Sequence, residues 1–220
     1  MEEMIEQRLV LSAADLHLLA QTLGAASWND VPLTDQTEDL EKLFLESFLH
    51  LADMGLLIPS KHNRYRLTEE ARRLLLPLTD PERKSVLLMH NGAAILYERD
   101  GVQRILYVDS DGKNSTLGET ENGMDALVSR LQISESIYQE IDVTATPPEH
   151  FSEKTAPAEI MEDSEALFLV SEPEQGKKRY ARVFFAEMVP WFSALKEGAV
   201  PVRYEEQILR RWLEKKEETE

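Results

Sequence analysis

Cysteine is missing from all 220 residues, which removes disulfides, thiol nucleophiles and thiolate metal ligands together and suits a reducing compartment. No apolar run approaches the ~18 residues that a membrane-spanning helix needs. The opening Met1-Glu2-Glu3-Met4-Ile5-Glu6 is acidic where a secretory signal would be basic. Cytoplasmic residence is the expectation.

Positive charge is scarce where it would matter. Acidic side chains outnumber basic ones 41 to 24, for a formal net charge of -17. Residues 1–60 carry 11 acidic and 2 basic groups, 61–110 carry 7 and 9, 111–176 carry 15 and 3, and 177–220 carry 8 and 10. Nucleic acid and anionic membranes are held by concentrated basic surfaces that release counterions. No segment supplies one, so neither nucleic-acid binding nor membrane insertion is expected.

Catalytic signatures are absent too. There is no Gly-x-Gly-x-x-Gly, Gly-x-Ser-x-Gly or Walker run to cradle phosphate or present a nucleophile. His17, His50, His62, His90 and His150 fall in different elements without His-x-x-x-His or Glu-x-x-His spacing. Asp109-Ser110-Asp111-Gly112-Lys113-Asn114 opens like a calcium loop. Lys113 then occupies the fifth position, Asn114 replaces the required glycine of the sixth, and Thr120 stands where a bidentate glutamate belongs. A polar turn explains the same residues. With 41 acidic residues, no carboxylate pair stands out. The expectation is a chain with no cofactor, no metal and no catalytic residue, and so not an enzyme.

What is present is a globular composition, 42% hydrophobic and 30% charged, without a low-complexity tract. Leu9-Val10-Leu11 reads as a strand entering a helix at Ser12-Ala13-Ala14-Asp15, where the Ser12 hydroxyl and Asp15 carboxylate can each satisfy the other's backbone amide. That helix ends at Gly24. A second helix is expected from Thr37 to Met54, closed by Gly55. Leu56-Leu57-Ile58 and Tyr65-Arg66-Leu67 then suggest a wing-like hairpin. Thr68 caps a third helix, which Pro77 and Pro81 are expected to stop.

Three antiparallel strands follow, Lys84 to His90, Ala93 to Glu98 and Gln103 to Asp109, turned by Asn91-Gly92 and Asp100-Gly101. A helix from Gly123 to Leu131 completes the first half. Residues 1–133 are expected to form an N-terminal half and 134–163 an acidic connector containing Pro147, Pro148 and Pro157. Residues 164–220 form a C-terminal half: a strand pair, Glu165 to Glu172 and Lys178 to Glu187, and an amphipathic helix from Arg203 to Lys216. The whole is expected to make one compact domain.

The wing-like hairpin raises a DNA-binding regulator with a C-terminal sensor region as an alternative. The candidate recognition helix opposes it, since it carries Glu38, Asp39, Glu41, Glu46 and Asp53 against Lys42 alone, and carboxylates repel phosphates. An enzyme of unidentified type is the other alternative. Late in the chain, Trp191, Phe192, Tyr204, Ile208 and Trp212 form the most distinctive apolar group. They can pack a core or line a groove for an amphipathic partner helix.

The order of these features resembles the EspG family, cytosolic chaperones associated with type VII (ESX) secretion. Three stretches carry it. The first is Leu9-Val10-Leu11-Ser12-Ala13-Ala14-Asp15-Leu16-His17-Leu18-Leu19 with Leu23-Gly24. The second is Leu51-Ala52-Asp53-Met54-Gly55-Leu56-Leu57. The third is Leu67-Thr68-Glu69-Glu70-Ala71-Arg72-Arg73-Leu74-Leu75, followed by Leu78-Thr79-Asp80-Pro81-Glu82-Arg83 and the three strands. The pattern covers residues 8–132, and the remainder only in strand and helix order.

The resemblance implies an α+β fold, a central antiparallel sheet flanked by helical bundles with a quasi-twofold relation of two halves. It implies a chaperone or adaptor that binds a helical secreted protein (a PE/PPE-, WXG- or LXG-like client) and keeps it soluble for export. Family client contact involves a sheet loop and the C-terminal helical bundle. Here these correspond to the turn His90-Asn91-Gly92, shorter than the family's loop, and to Trp191, Tyr204, Ile208 and Trp212.

Overall fold

The computed structural model describes residues 8–24, 40–60, 64–131, 133, 157–172, 175–186, 188–196 and 198–215. Expectations for 25–39 and for the connector up to residue 156 lie outside the described residues. Nine strands form one antiparallel sheet in the order β1-β7-β6-β5-β4-β8-β9-β10-β11, and β2 and β3 form a separate two-stranded sheet. With helices interspersed, the fold is α+β. The chain divides into two compact units, residues 1–82 with 97–121 and residues 83–96 with 122–220.

In the first unit, β1 (Leu9–Ser12) runs straight into α1 (Ala13–Thr22) through the expected reciprocal cap. The Asp15 amide donates to Ser12 Oγ at 3.1 Å, and the Ser12 amide donates to Asp15 Oδ2 at 2.8 Å. The same carboxylate oxygen lies 2.9 Å from Nδ1 of His50 on α2 (Leu40–Asp53). Asp15 is buried, so one carboxylate both starts α1 and fastens it to α2.

Gly55, at φ +71°, turns the chain out of α2 into the hairpin of β2 (Leu57–Ser60) and β3 (Arg64–Leu67), which pairs Leu57 with Leu67. Thr68 Oγ1 accepts from the Ala71 amide at 3.2 Å to start α3 (Glu69–Thr79). Pro77 does not stop this helix but lies inside it. Proline forfeits one i→i−4 hydrogen bond and crowds the carbonyl four residues before it, a local cost that this helix absorbs with two residues still to follow.

Strands β6 (Val102–Asp109) and β7 (Asn114–Glu119) complete the first unit. β7 lies between β6 and β1, with Leu117 opposite both Leu106 and Leu9. The expected run of three strands is therefore one short, because it stops at the polar turn Asp109 to Asn114 and the polar Ser115-Thr116 beyond gives no strand signal. Ser115 and Leu117 nevertheless point inward and are buried.

The second unit begins with β4 (Arg83–Met89) and the first part of β5 (Gly92–Arg99), joined at Asn91-Gly92. The helix expected from Gly123 to Leu131 is α4 (Gly123–Val128), tightening into a single 3-10 turn at Ser129–Leu131. The connector's last part is helical, α5 (Pro157–Glu162). Next come β8 (Ala166–Glu172), β9 (Lys177–Ala186), β10 (Val189–Ala194), β11 (Val202–Arg203) and α6 (Glu206–Glu214). The expected strand pair is therefore four strands, since Pro190-Trp191-Phe192 belongs to β10.

Candidate apolar shelf beside the C-terminal helix

Opposed residues in an antiparallel ladder present their side chains to the same face. Phe192 is opposite Val183 on one side and Val202 on the other, and Pro190 is opposite Phe185. These residues share a face with Arg179 and Ala181 of β9. The Phe192 ring meets the Trp212 ring edge-on with centroids 6.0 Å apart, so α6 packs over this face. Phe184, Val189 and Trp191 form a buried cluster on the opposite face, where the Arg182 guanidinium lies 4.7 Å from the centre of the Phe184 ring.

Both ends of α6 are fastened. Ahead of it, the Tyr204 amide donates to the Pro190 carbonyl at 2.9 Å. At its far end the last-turn carbonyls lack intrahelical donors, and two sheet arginines supply them. Arg83 donates to the Leu213 carbonyl, while Arg179 donates to the carbonyls of Trp212 and, at 2.8 Å, Leu213. Two cations at a helix C-terminus also offset the negative end of its dipole. Along its length, Arg210 joins Glu206, at 2.6 Å, to Asp125 of α4. Burial opposes charge on Arg210, but its bonds to Glu206 and Asp125 prevail and raise its pKa. On the opposite face burial pulls Arg182 down to about 10, against the attraction of Asp163.

The seven sequence-predicted residues are placed unequally. Trp191 and Tyr204 are buried, at 4% and 6% exposure, and Trp191 is on the sheet face away from α6. Ile208 and Trp212, one helical turn apart, are half-buried at the margin of α6. His90 and Asn91 are exposed and Gly92 half-exposed, in the β4–β5 turn, and His90 Nε2 lies 2.9 Å from the Ser164 carbonyl. By the strand register this turn is at the same end of the sheet as the β9–β10 turn.

The structure adds residues to the margin of α6 that sequence reasoning missed. Phe185, Met188, Val200 and Val202 are exposed apolar side chains at 36%, 72%, 64% and 41%. Met188 has a φ of +64°, a left-handed conformation uncommon for a side chain of this size. Scattered through polar sequence, these residues carry no periodic signal; the strand register sets Phe185 and Val202 on one face, while Met188 is in the β9–β10 turn and Val200 precedes β11. Together with the half-buried Ile208 and Trp212 of α6 they are the candidate apolar shelf of this unit. Among the described residues no group of three or more His, Asp or Glu could hold a metal ion, and no helix is long and apolar enough to cross a membrane.

No known family profile matches the sequence, and no curated protein matches it. Among solved structures, that of the Mycobacterium tuberculosis type VII secretion system chaperone EspG5, in complex with the PE25-PPE41 dimer, matches over 93% of each chain with a TM-score of 0.56 and 9% sequence identity. The chain shares its fold with EspG5. At this identity the likeness to EspG5 is one of fold.

Proposed function

We propose that this protein is a non-catalytic chaperone or adaptor of a type VII-like secretion system, holding a helical client of the PE/PPE kind soluble before export. One observation carries the reading: the EspG5 fold extends over 93% of the chain. The exposed apolar residues of the candidate shelf support it, because apolar surface left in water costs solubility unless a partner covers it, and a helix laid on an apolar surface is a common mode of peptide recognition.

In this reading Ile208 and Trp212 are client anchors together with Phe185, Met188, Val200 and Val202. Trp191 and Tyr204 support the shelf from beneath. His90, Asn91 and Gly92 form a second contact at the same end of the sheet. The partner is a protein rather than nucleic acid or lipid, and the working compartment is the cytoplasm.

The test is co-expression with a PE–PPE-type heterodimer from the same genome, followed by size-exclusion chromatography and calorimetry. The expected result is a stable complex and a rise in soluble client. Clients that remain insoluble or elute separately would overturn the proposal.

A further inference from the structure

Among the described residues, helix α2 carries more apolar surface than its neighbours cover. At 100° per residue, Leu43, Phe44, Phe48, Leu51 and Ala52, with Leu45 and Leu49, span about 240° of its circumference, whereas a surface helix needs a stripe little wider than ~100°. The inward part is buried at Ser47 and Leu51. On one flank His50 is tied to Asp15 of α1. On the other, Phe48 meets Tyr65 of the β2–β3 hairpin with ring centroids 4.2 Å apart. Between these flanks Leu45 and Leu49 remain 59% and 55% exposed, one helical turn apart.

The polar residues beside this pair are arranged for one occupant. Lys42 and Asp53 are exposed on the same edge of the leucine stripe, and among the described residues Lys42 makes a loose 3.8 Å contact with the exposed Glu46. Rotating α2 by 180° about an axis that lies outside the leucine pair, level with Ser47 along the helix, sets a second, antiparallel α2 against the first. Leu45 then faces Leu49 of the second copy, and Lys42 falls beside Asp53 of the second copy, with each contact made twice. We propose that this face of α2 is a homodimer interface, in which two copies of the chain pair their α2 helices antiparallel across a twofold axis. The α2 face and the α6 shelf use different residues, so dimerisation and client binding are separate properties.

The contact is small and the chain carries a net charge of -17, so long-range repulsion opposes association and salt relieves it. Sedimentation velocity on the full chain tests the proposal at about 100 µM, a range in which small, weak interfaces are populated. The wild type is expected to approach twice the monomer mass, more fully at moderate than at low salt. Leu49→Asp is expected to sediment as a monomer with unchanged circular dichroism. Lys42→Glu is expected to weaken association about tenfold, and Lys42→Glu with Asp53→Lys to restore it, which no loss of folding could mimic. A monomeric wild type at every salt concentration would overturn the proposal, as would a Leu49→Asp protein that still dimerises or a double charge reversal without rescue. Loss of client binding with no change in mass would assign the face to the client and overturn it equally.

Discussion

Arg179 places its guanidinium 4.7 Å from the centre of the Trp212 ring and donates a hydrogen bond to the backbone carbonyl of the same residue. One side chain thus holds the margin of the shelf by its aromatic ring and by its helix end. Arg179→Met is expected to lower unfolding free energy by about 2 kcal/mol, combining a cation–π contact with charged hydrogen bonds to carbonyls. Arg179→Lys should recover less than half, because an ammonium lacks the planar fork that serves two carbonyls. Urea titration measures both, and equal stability of the Lys variant and wild type would refute the account.

Asp15 predicts a second effect. Asp15→Ala removes the carboxylate half of the reciprocal cap of α1, leaving the Ser12 hydroxyl half, and removes the tie to α2, with an expected loss of about 2 kcal/mol. His50→Ala should cost less than ~1 kcal/mol, since its side chain is 48% exposed and keeps access to water. A double-mutant cycle should give a coupling of at least ~0.5 kcal/mol between them. Strict additivity would show that the 2.9 Å contact contributes nothing.

The two halves of this tie differ in how legible they are from sequence. Ser12 and Asp15 are three residues apart and announce their cap, as Asn91-Gly92 and Asp100-Gly101 announce their turns. Asp100 and Gly101 both take positive φ, as such a tight hairpin requires. His50, 35 residues from Asp15, is invisible locally, and so are Arg83 and Arg179, which reach α6 across 130 and 34 residues. β7 was hidden by polar residues whose strand character comes from neighbours on both sides. The aromatic cluster was legible as a group but not as a surface, because strand alternation sends Trp191 to one face and Phe192 to the other.

The shelf predicts a binding phenotype without a folding phenotype. Val202→Asp alters an exposed side chain and should leave the unfolding midpoint within ~0.5 kcal/mol of wild type while weakening client affinity at least tenfold, about 1.4 kcal/mol. Val10→Asp, at the exposed edge strand β1, is the control and should bind as wild type. Calorimetry with a PE–PPE-type client decides, and equal affinities for the two variants would move the client site elsewhere.

Arg182 predicts a pH effect whose sign follows from its depressed pKa. Burial lowers it to about 10 in the folded protein, below its ordinary value. At neutral pH the guanidinium is charged in both states and its burial opposes folding. Above about pH 10 the folded state releases a proton that the unfolded state retains, so the unfolded state binds more protons and this group's contribution to stability rises with pH. Arg182→Met should therefore match or exceed the wild type at pH 7 and lose that advantage between pH 9 and 11. A difference between the two proteins that stays flat across that range would contradict the burial account.

The sheet ends beside α6 in a strand of two residues, β11, with Pro201 directly before it and Pro190 in the neighbouring strand. Proline has no backbone N–H to offer, and a two-residue rung is a poor template for a further strand. An extended chain, whether an unfolded client or another copy's edge, finds few main-chain hydrogen bonds here. A folded helix, which satisfies its own backbone and asks only for apolar side chains, meets no such obstacle. The blunted edge is thus a filter on conformation, turning away strands beside the surface proposed for a helical client.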